Sequence, residues 1–230
     1  MSRKIARQPY YTLLASLPPL PRFEGARRLP ISRERLQQRL RMLTPSDARF
    51  LERSAPFLTW QKDAPNLTDR EMVIQFKKLV ETMSGSHLKP LIDFPVDQRT
   101  IMVALRRRHR GFDPPTTEEL WGLGRYVRHI ERNWENPHFR LAAEYPWIPQ
   151  AQLHLDAGEV LALDRLLKNV LWDHLERTVP PYDFGLRTVI SYRMKWDMLE
   201  QWLSYDAEKA GERFKELVKE ITDGQPKLFH

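Results

Sequence analysis

A chain of 230 residues with 41% hydrophobic and 29% charged residues has a globular composition and is long enough to bury a core without staples. It contains no cysteine, which excludes disulfides and thiolate metal sites and points to a reducing, cytoplasmic setting; no apolar run approaches the about 20 residues of a membrane span. The net charge of +7 is uneven, because residues 1–50 hold 11 Lys/Arg against 3 Asp/Glu while the remainder holds 26 against 27.

The basicity therefore belongs to the N-terminal fifth, a charge suited to an acidic protein surface, anionic lipid or nucleic acid, or simply to solvent. Tyr10 to Leu17 is a short apolar run that reads equally as a strand or a buried helical turn. Prolines at 18, 19 and 21 force an extended exit. Ser32 is placed to cap a helix through Leu43, with Leu36, Leu40 and Leu43 on its apolar face. Thr44-Pro45-Ser46-Asp47 starts a second helix, expected to reach about Ala55 and stop before Pro56.

Thr68-Asp69-Arg70-Glu71 reads as a capping box, and this places the sequon Asn66-Leu67-Thr68 at a helix start. The helix it opens carries Met72, Val73, Phe76, Leu79, Val80 and Met83 and is expected to stop at Gly85. Asp97 is expected to cap a helix over 98–109 that ends in Arg106, Arg107, Arg108, His109 and Arg110 before Gly111. Cations there are favoured by the helix dipole by about 0.3–1 kcal/mol each when exposed, and that structural role competes with partner or phosphate binding. Thr116 to Glu119 opens a further expected helix to about Asn133, with Leu120, Leu123, Val127 and Ile130 as its stripe.

The proline-rich stretch 136–155 reads as an irregular connection between an N-terminal helical part, 1–135, and a C-terminal one, 156–230. Asp156-Ala157-Gly158-Glu159 resembles another capping box, opening a helix that buries Val160, Leu163, Leu166, Leu167, Val170, Leu171 and Leu175 and ends before Pro180. A helix over 183–205 follows, apolar nearly all round and interleaved with cations. Its Tyr192, Trp196 and Leu199 share one side, and its second face is either core or a docking surface. Asp206 to Ile221 forms the last expected helix, with Gly224 and Pro226 closing the fold. The fold class is all-α, a bundle or funnel-like arrangement.

Chemistry is sparse. There is no P-loop, no Gly-x-Gly-x-x-Gly and no His-Glu-x-x-His. Asp173 and His174 are neighbours whose side chains diverge by about 100° on a helix, and His154 with Asp156 is no better as a ligand pair. No catalytic residue, metal ligand set, cofactor or small-molecule substrate is expected.

The run Phe184 to Gly211, with Tyr192, Lys195, Trp196 and Trp202 as a Tyr-x-x-Lys-Trp-x-x-x-x-x-Trp core, resembles the C-terminal helix of a V/A-type ATPase family, that of the C-type central-stalk component (d-type in eukaryotic enzymes). It is still more similar to a short bacterial family whose genes lie among V-type ATPase genes. Tyr10 to Pro18 and Leu29 to Ser32 resemble the start of that short family. Asp97 to Arg107 resembles the helix of the C-type component that pairs an acid with an Asn-Leu/Ile-x-x-x-Leu-Arg segment; Thr100 stands where the larger family usually carries asparagine.

The resemblance implies a non-catalytic protein of an ion-transporting rotary ATPase, peripheral at the inner membrane, that caps the proteolipid ring and receives the central shaft. Partner contacts are then expected at Arg106, Arg107, Arg108, Arg110, Tyr192, Arg193, Lys195, Trp196 and Trp202. The alternatives are a helical nucleic-acid-binding protein using the basic N-terminal segment, and an enzyme whose site the sequence does not display.

Overall fold

The computed structural model describes residues 10–58, 69–83, 87–116 and 119–223, with backbone alone for 69–70 and 206–223. Every regular element among them is helical: α1 Tyr11–Ala15, α2 Arg33–Leu40, α3 Pro45–Leu58, α4 Asp69–Thr82, α5 Lys89–His109, α6 Val127–Arg132, α7 Ile148–Asp156, α8 Val160–Thr178 and α9 Leu186–Asp223. The N-terminal apolar run is thus a helical turn and no strand is present among the described residues.

The apolar periodicity explains the packing. One core gathers Leu13, Phe23, Phe57, Leu79, Leu91, Ile92, Leu171, Leu175, Val189, Ile190 and Leu199. A second gathers Ile101, Met102, Leu105, Ile130, Phe139, Trp147, Ile148, Leu163 and Leu167. The first half of α5 feeds the first core and its second half feeds the other; α8 does the same in reverse order. Each fully buried leucine or isoleucine contributes roughly 1.5–3 kcal/mol, so these two helices carry much of the burial energy.

Several boundaries follow the expected caps. The Ser32 side chain accepts from Arg35 N at 3.4 Å, and the Thr44 hydroxyl accepts from Asp47 N at 3.3 Å. Gly111 ends α5 at φ +74, and α8 stops before Pro180. The expected caps and stops at Thr68, Gly85, Gly224 and Pro226 lie outside the described residues, as do the side chains of Phe214, Leu217, Val218 and Ile221.

Others are displaced, each for a physical reason. α2 ends at Leu40, and Leu43 is buried just beyond it. α3 runs through Pro56 because Phe57 and Leu58 gain burial in the last turn, while the missing N–H costs a single bond. α5 begins at Lys89, eight residues before Asp97, with a proline in its first turn and Leu91, Ile92 and Val96 driven inward. Asp97 is a fully buried mid-helix side chain and caps nothing.

The helix expected over 116–133 forms only at 127–132. Gly124 at φ +87 turns the preceding chain away from helix, and Leu120 is 45% exposed, outside any stripe. The stretch expected to be irregular over 136–155 contains α7, because Pro149 starts that helix where a proline is well tolerated. Gly158 at φ +69 separates α7 from α8; Asp156 therefore ends one helix, and Val160 is 75% exposed.

No break occurs at Asp206. α9 runs on as one element of 38 residues, and the Ser204 hydroxyl, which could have capped a new helix, instead donates back to Glu200 O at 2.9 Å.

Candidate functional site

The nine residues expected to bind a partner fall into two groups, one on α5 and one on α9. At the end of α5, Arg107 forms a two-pronged pair with Glu119, at 2.6 and 3.2 Å, and lies over the Phe112 ring. Arg108 donates to Trp134 O at 3.2 Å, Asn136 O at 3.0 Å and Gln152 Oε1 at 3.1 Å, and covers the Phe139 ring at 4.4 Å. It holds the turn in which His138, Phe139 and Arg140 all take left-handed φ values of 50 to 58°. Burial, with Arg110 nearby, pulls the Arg106 guanidinium below its ordinary pKa. Arg110 is exposed.

On α9 the aromatic and cationic side chains are largely engaged within the chain. Tyr192 donates to Pro18 O at 2.8 Å, and burial pushes its phenol up to about 12. Trp196 is fully buried and donates to Ile31 O at 2.9 Å. Lys195 bonds Glu176 at 3.3 Å and lies 5.0 Å over Trp172, whose indole N–H bonds the same Glu176 oxygen at 2.8 Å. Trp202 meets Phe23 edge-on at 5.0 Å beneath Arg165.

Arg193 differs from these. Its Nε donates to both oxygens of the buried Asp197 at 2.9 Å, and its terminal nitrogens have no acceptor among the described residues. Burial raises the Asp197 carboxyl, against the pull of Arg193. This pair borders a groove of about 280 Å³ between α2, α3 and α9, floored by Leu40, Leu43, Leu51, Leu58 and Met194. Ala48, Glu52 and Ala55 complete its α3 side.

Sequence reasoning missed the most connected polar cluster. The carboxylate of Asp97 accepts from Arg125 Nε at 2.9 Å, Arg125 Nη2 at 2.6 Å, the Arg125 backbone N–H at 3.2 Å and the Tyr145 hydroxyl at 3.2 Å. Burial pushes the Asp97 carboxyl up while Arg125 and Tyr145 draw it back. Against desolvation, the bonds and charge of Asp97 hold Arg125 above its ordinary value. One turn on, the Thr100 hydroxyl donates to Leu123 O at 2.6 Å and accepts from Leu123 N at 3.0 Å. α5 thereby clasps the irregular passage at 122–125. A Cβ on Gly124 would fall 2.7 Å from Asp97 Oδ1, so that position needs glycine both for its φ and for its space.

His174 stacks on Phe94 at 3.8 Å and contacts Pro90 O at 3.1 Å, and Asp173 pairs with Arg22. His154 pairs with Glu159. Among the described residues no group of three or more His, Asp or Glu side chains is placed to hold a metal ion, and no helix is long and apolar enough to cross a membrane. A second cleft, of about 170 Å³, lies between α3, α4, α5 and the 120–123 passage and is lined by Phe57, Val96, Arg99, Thr100 and Trp121.

No curated protein and no solved structure matches the chain. Residues 61–225, more than half of the sequence and including the Asp97 clasp and all of α9, match a family model, and the chain belongs to that family, described as Protein of unknown function (DUF2764).

Proposed function

We propose that the chain is a non-catalytic, protein-binding component of a V/A-type rotary ATPase, similar to the C-type component that couples the shaft to the proteolipid ring. The observation that carries the protein-binding part is the apolar groove beside Arg193, a surface feature that the fold itself leaves uncovered among the described residues. The rotary ATPase enters through the resemblance of Asp97 to Arg107 and of Phe184 to Gly211.

Thr100 departs from that resemblance, standing where the larger family usually carries asparagine; in this chain its hydroxyl clasps Leu123 O and N.

A nucleic-acid reading draws on the exposed arginines of the N-terminal fifth. It is weaker, because the aromatic rings that would stack on bases, Tyr192, Trp196 and Trp202, are engaged with Pro18, Ile31 and Phe23. The test is affinity capture of the tagged chain from its native cell at low salt. Rotary ATPase subunits are expected in the eluate above an untagged control; their complete absence overturns the proposal.

A further inference from the structure

We infer that the turn from Pro180 to Phe184, with Tyr11 beside it, docks on an anionic membrane surface, its aromatic tips entering the interface while the cations at the start of the chain meet the headgroups. The inference stands apart from the rotary reading and does not rest on it.

The turn is held from several sides. Asp183 N–H donates to Pro180 O at 3.2 Å, and Tyr10 N–H donates to Phe184 O at 2.6 Å. The Asp183 carboxylate accepts from Gly185 N at 2.9 Å and from Arg187 Nε at 2.7 Å, and the Thr188 hydroxyl donates to Asp183 O. Within this frame Tyr182 takes a φ of +64, the left-handed conformation that a Cβ disfavours. Its ring has no part in the core. Tyr182 is 91% exposed and has no hydrogen bond or ring contact among the described residues. Such strain persists only where the surrounding structure imposes it, and it gathers at sites of function.

Tyr182 is not alone. Tyr11 and Phe184 lie ring against ring at 4.6 Å and are still 58% and 37% exposed. Pro180 and Pro181 are exposed as well. Asp183 is the only charged residue between Val179 and Leu186, and its carboxylate is engaged by Gly185 and Arg187. The turn therefore presents apolar and aromatic groups with no unpaired charge among them.

Charge selects the occupant. The first 23 residues carry Arg3, Lys4, Arg7 and Arg22 and no acid. Arg7 precedes Tyr10 by three residues, so covalent geometry alone keeps its Cα within about 11 Å of that of Tyr10, the residue fastened to Phe184. A plane of anionic headgroups attracts any cation brought near it and asks for no fixed contact geometry. A single-stranded nucleic acid asks for open ring faces, but Tyr11 and Phe184 cover each other and Tyr182 alone offers a free one. An acidic protein surface asks for cations set around the tip, but Arg187, the cation of the turn itself, is bound to Asp183 and only 13% exposed. Tyrosine, with an apolar body and a wet hydroxyl, suits the bilayer interface. No helix among the described residues is long and apolar enough to cross a membrane, so the contact is with the surface.

The probe is the whole chain sedimented with vesicles, either of phosphatidylcholine alone or of phosphatidylcholine and phosphatidylglycerol in equal parts. At low salt the mixed vesicles are expected to bind at least about tenfold more tightly, and added salt to erase the difference. Each cation neutralised near such a surface weakens binding by about fivefold, so Arg3→Gln with Lys4→Gln and Arg7→Gln is expected to lose at least about tenfold. Tyr182→Gly removes the ring and the left-handed penalty together. It is expected to weaken binding about fivefold while raising the thermal midpoint, a pair of effects that misfolding does not give. Tyr182→Trp is expected to retain binding.

No binding, equal binding to both vesicles, or indifference to the glutamine and glycine variants overturns the inference. So does a midpoint lowered by Tyr182→Gly, because the ring would then serve the fold. Tighter binding of a single-stranded oligonucleotide that the same variants abolish overturns it in favour of a nucleic acid. If rotary ATPase subunits are captured while the vesicles are not bound, this inference falls and the rotary reading stands. If the vesicles bind as described and no such subunit is captured, the reverse holds.

Discussion

At the scale of single residues, the Asp97–Arg125 pair is asymmetric, and that asymmetry decides what substitution does. The Asp97 side chain is fully buried, whereas that of Arg125 is 49% exposed. Removing the arginine strands a carboxylate without water; removing the carboxylate leaves a guanidinium that can be rehydrated. Arg125→Ala is therefore expected to cost about 3–5 kcal/mol, the range for breaking a buried pair from one side. Asp97→Asn is expected to cost about 1–3 kcal/mol. Urea unfolding midpoints rank the two; the opposite order refutes the account.

His174 makes a pH-dependent contribution. Burial lowers its pKa, the contact with Pro90 O opposes this, and the charges of Arg177 and Arg125 add to the lowering. A histidine lowered in the folded state is protonated more readily when unfolded. Its stabilising effect is thus present above the unfolded value of about 6.5 and is lost as pH falls below it toward the folded pKa. His174→Gln is expected to show a smaller loss of urea resistance between pH 7 and pH 5.5 than the wild type; parallel losses would mean that His174 titrates alike in both states.

At the scale of elements, glycines 111 and 124 share a left-handed φ but not a neighbourhood. Nothing lies within 4 Å of a Cβ on Gly111, whereas one on Gly124 meets Asp97 Oδ1 at 2.7 Å and Val96 Cγ1 at 3.0 Å. Gly111→Ala is expected to cost only the left-handed penalty of about 1–2 kcal/mol, and Gly124→Ala clearly more, because it also displaces the clasp. Matched denaturation curves measure the difference, and equal midpoints would show that the clasp yields freely.

The same elements show what a sequence can disclose. Ser32, Thr44 and Gly111 act locally, within a turn of the residues that reveal them, and their roles are legible. Asp97 carries the same letter as a capping acid, but its partners are 28 and 48 residues away, and nothing in its own turn announces them. The 116–133 stretch has a helical apolar pattern that Gly122 and Gly124 override through close approach to Thr100 and Asp97. Trp196 and Tyr192 stand out as an aromatic-basic helix, but whether such rings face outward is set by carbonyls at Ile31 and Pro18, far off in the chain. The groove is legible only as an apolar surplus on the 183–205 helix. Its other wall, on α2 and α3, is a tertiary fact.

At the scale of the whole molecule, α5 and α8 each serve both cores, so neither core can melt and leave the other its helices. Thermal unfolding followed by near-UV and by far-UV circular dichroism is expected to give coincident transitions. Two separated midpoints would show that the cores open independently.

The bonds from Tyr192 to Pro18 and from Trp196 to Ile31 join residues 174 and 165 positions apart. A ribosome adding about 5–20 residues per second needs roughly 8–35 seconds to cover that distance. Throughout that interval the proline-rich passage from Pro18 to Ile31 has emerged without the helix it is fastened to, and Phe23 lacks Trp172 and Trp202. The apolar residues between Leu17 and Ile31 are therefore covered only after the last third of the sequence has been made.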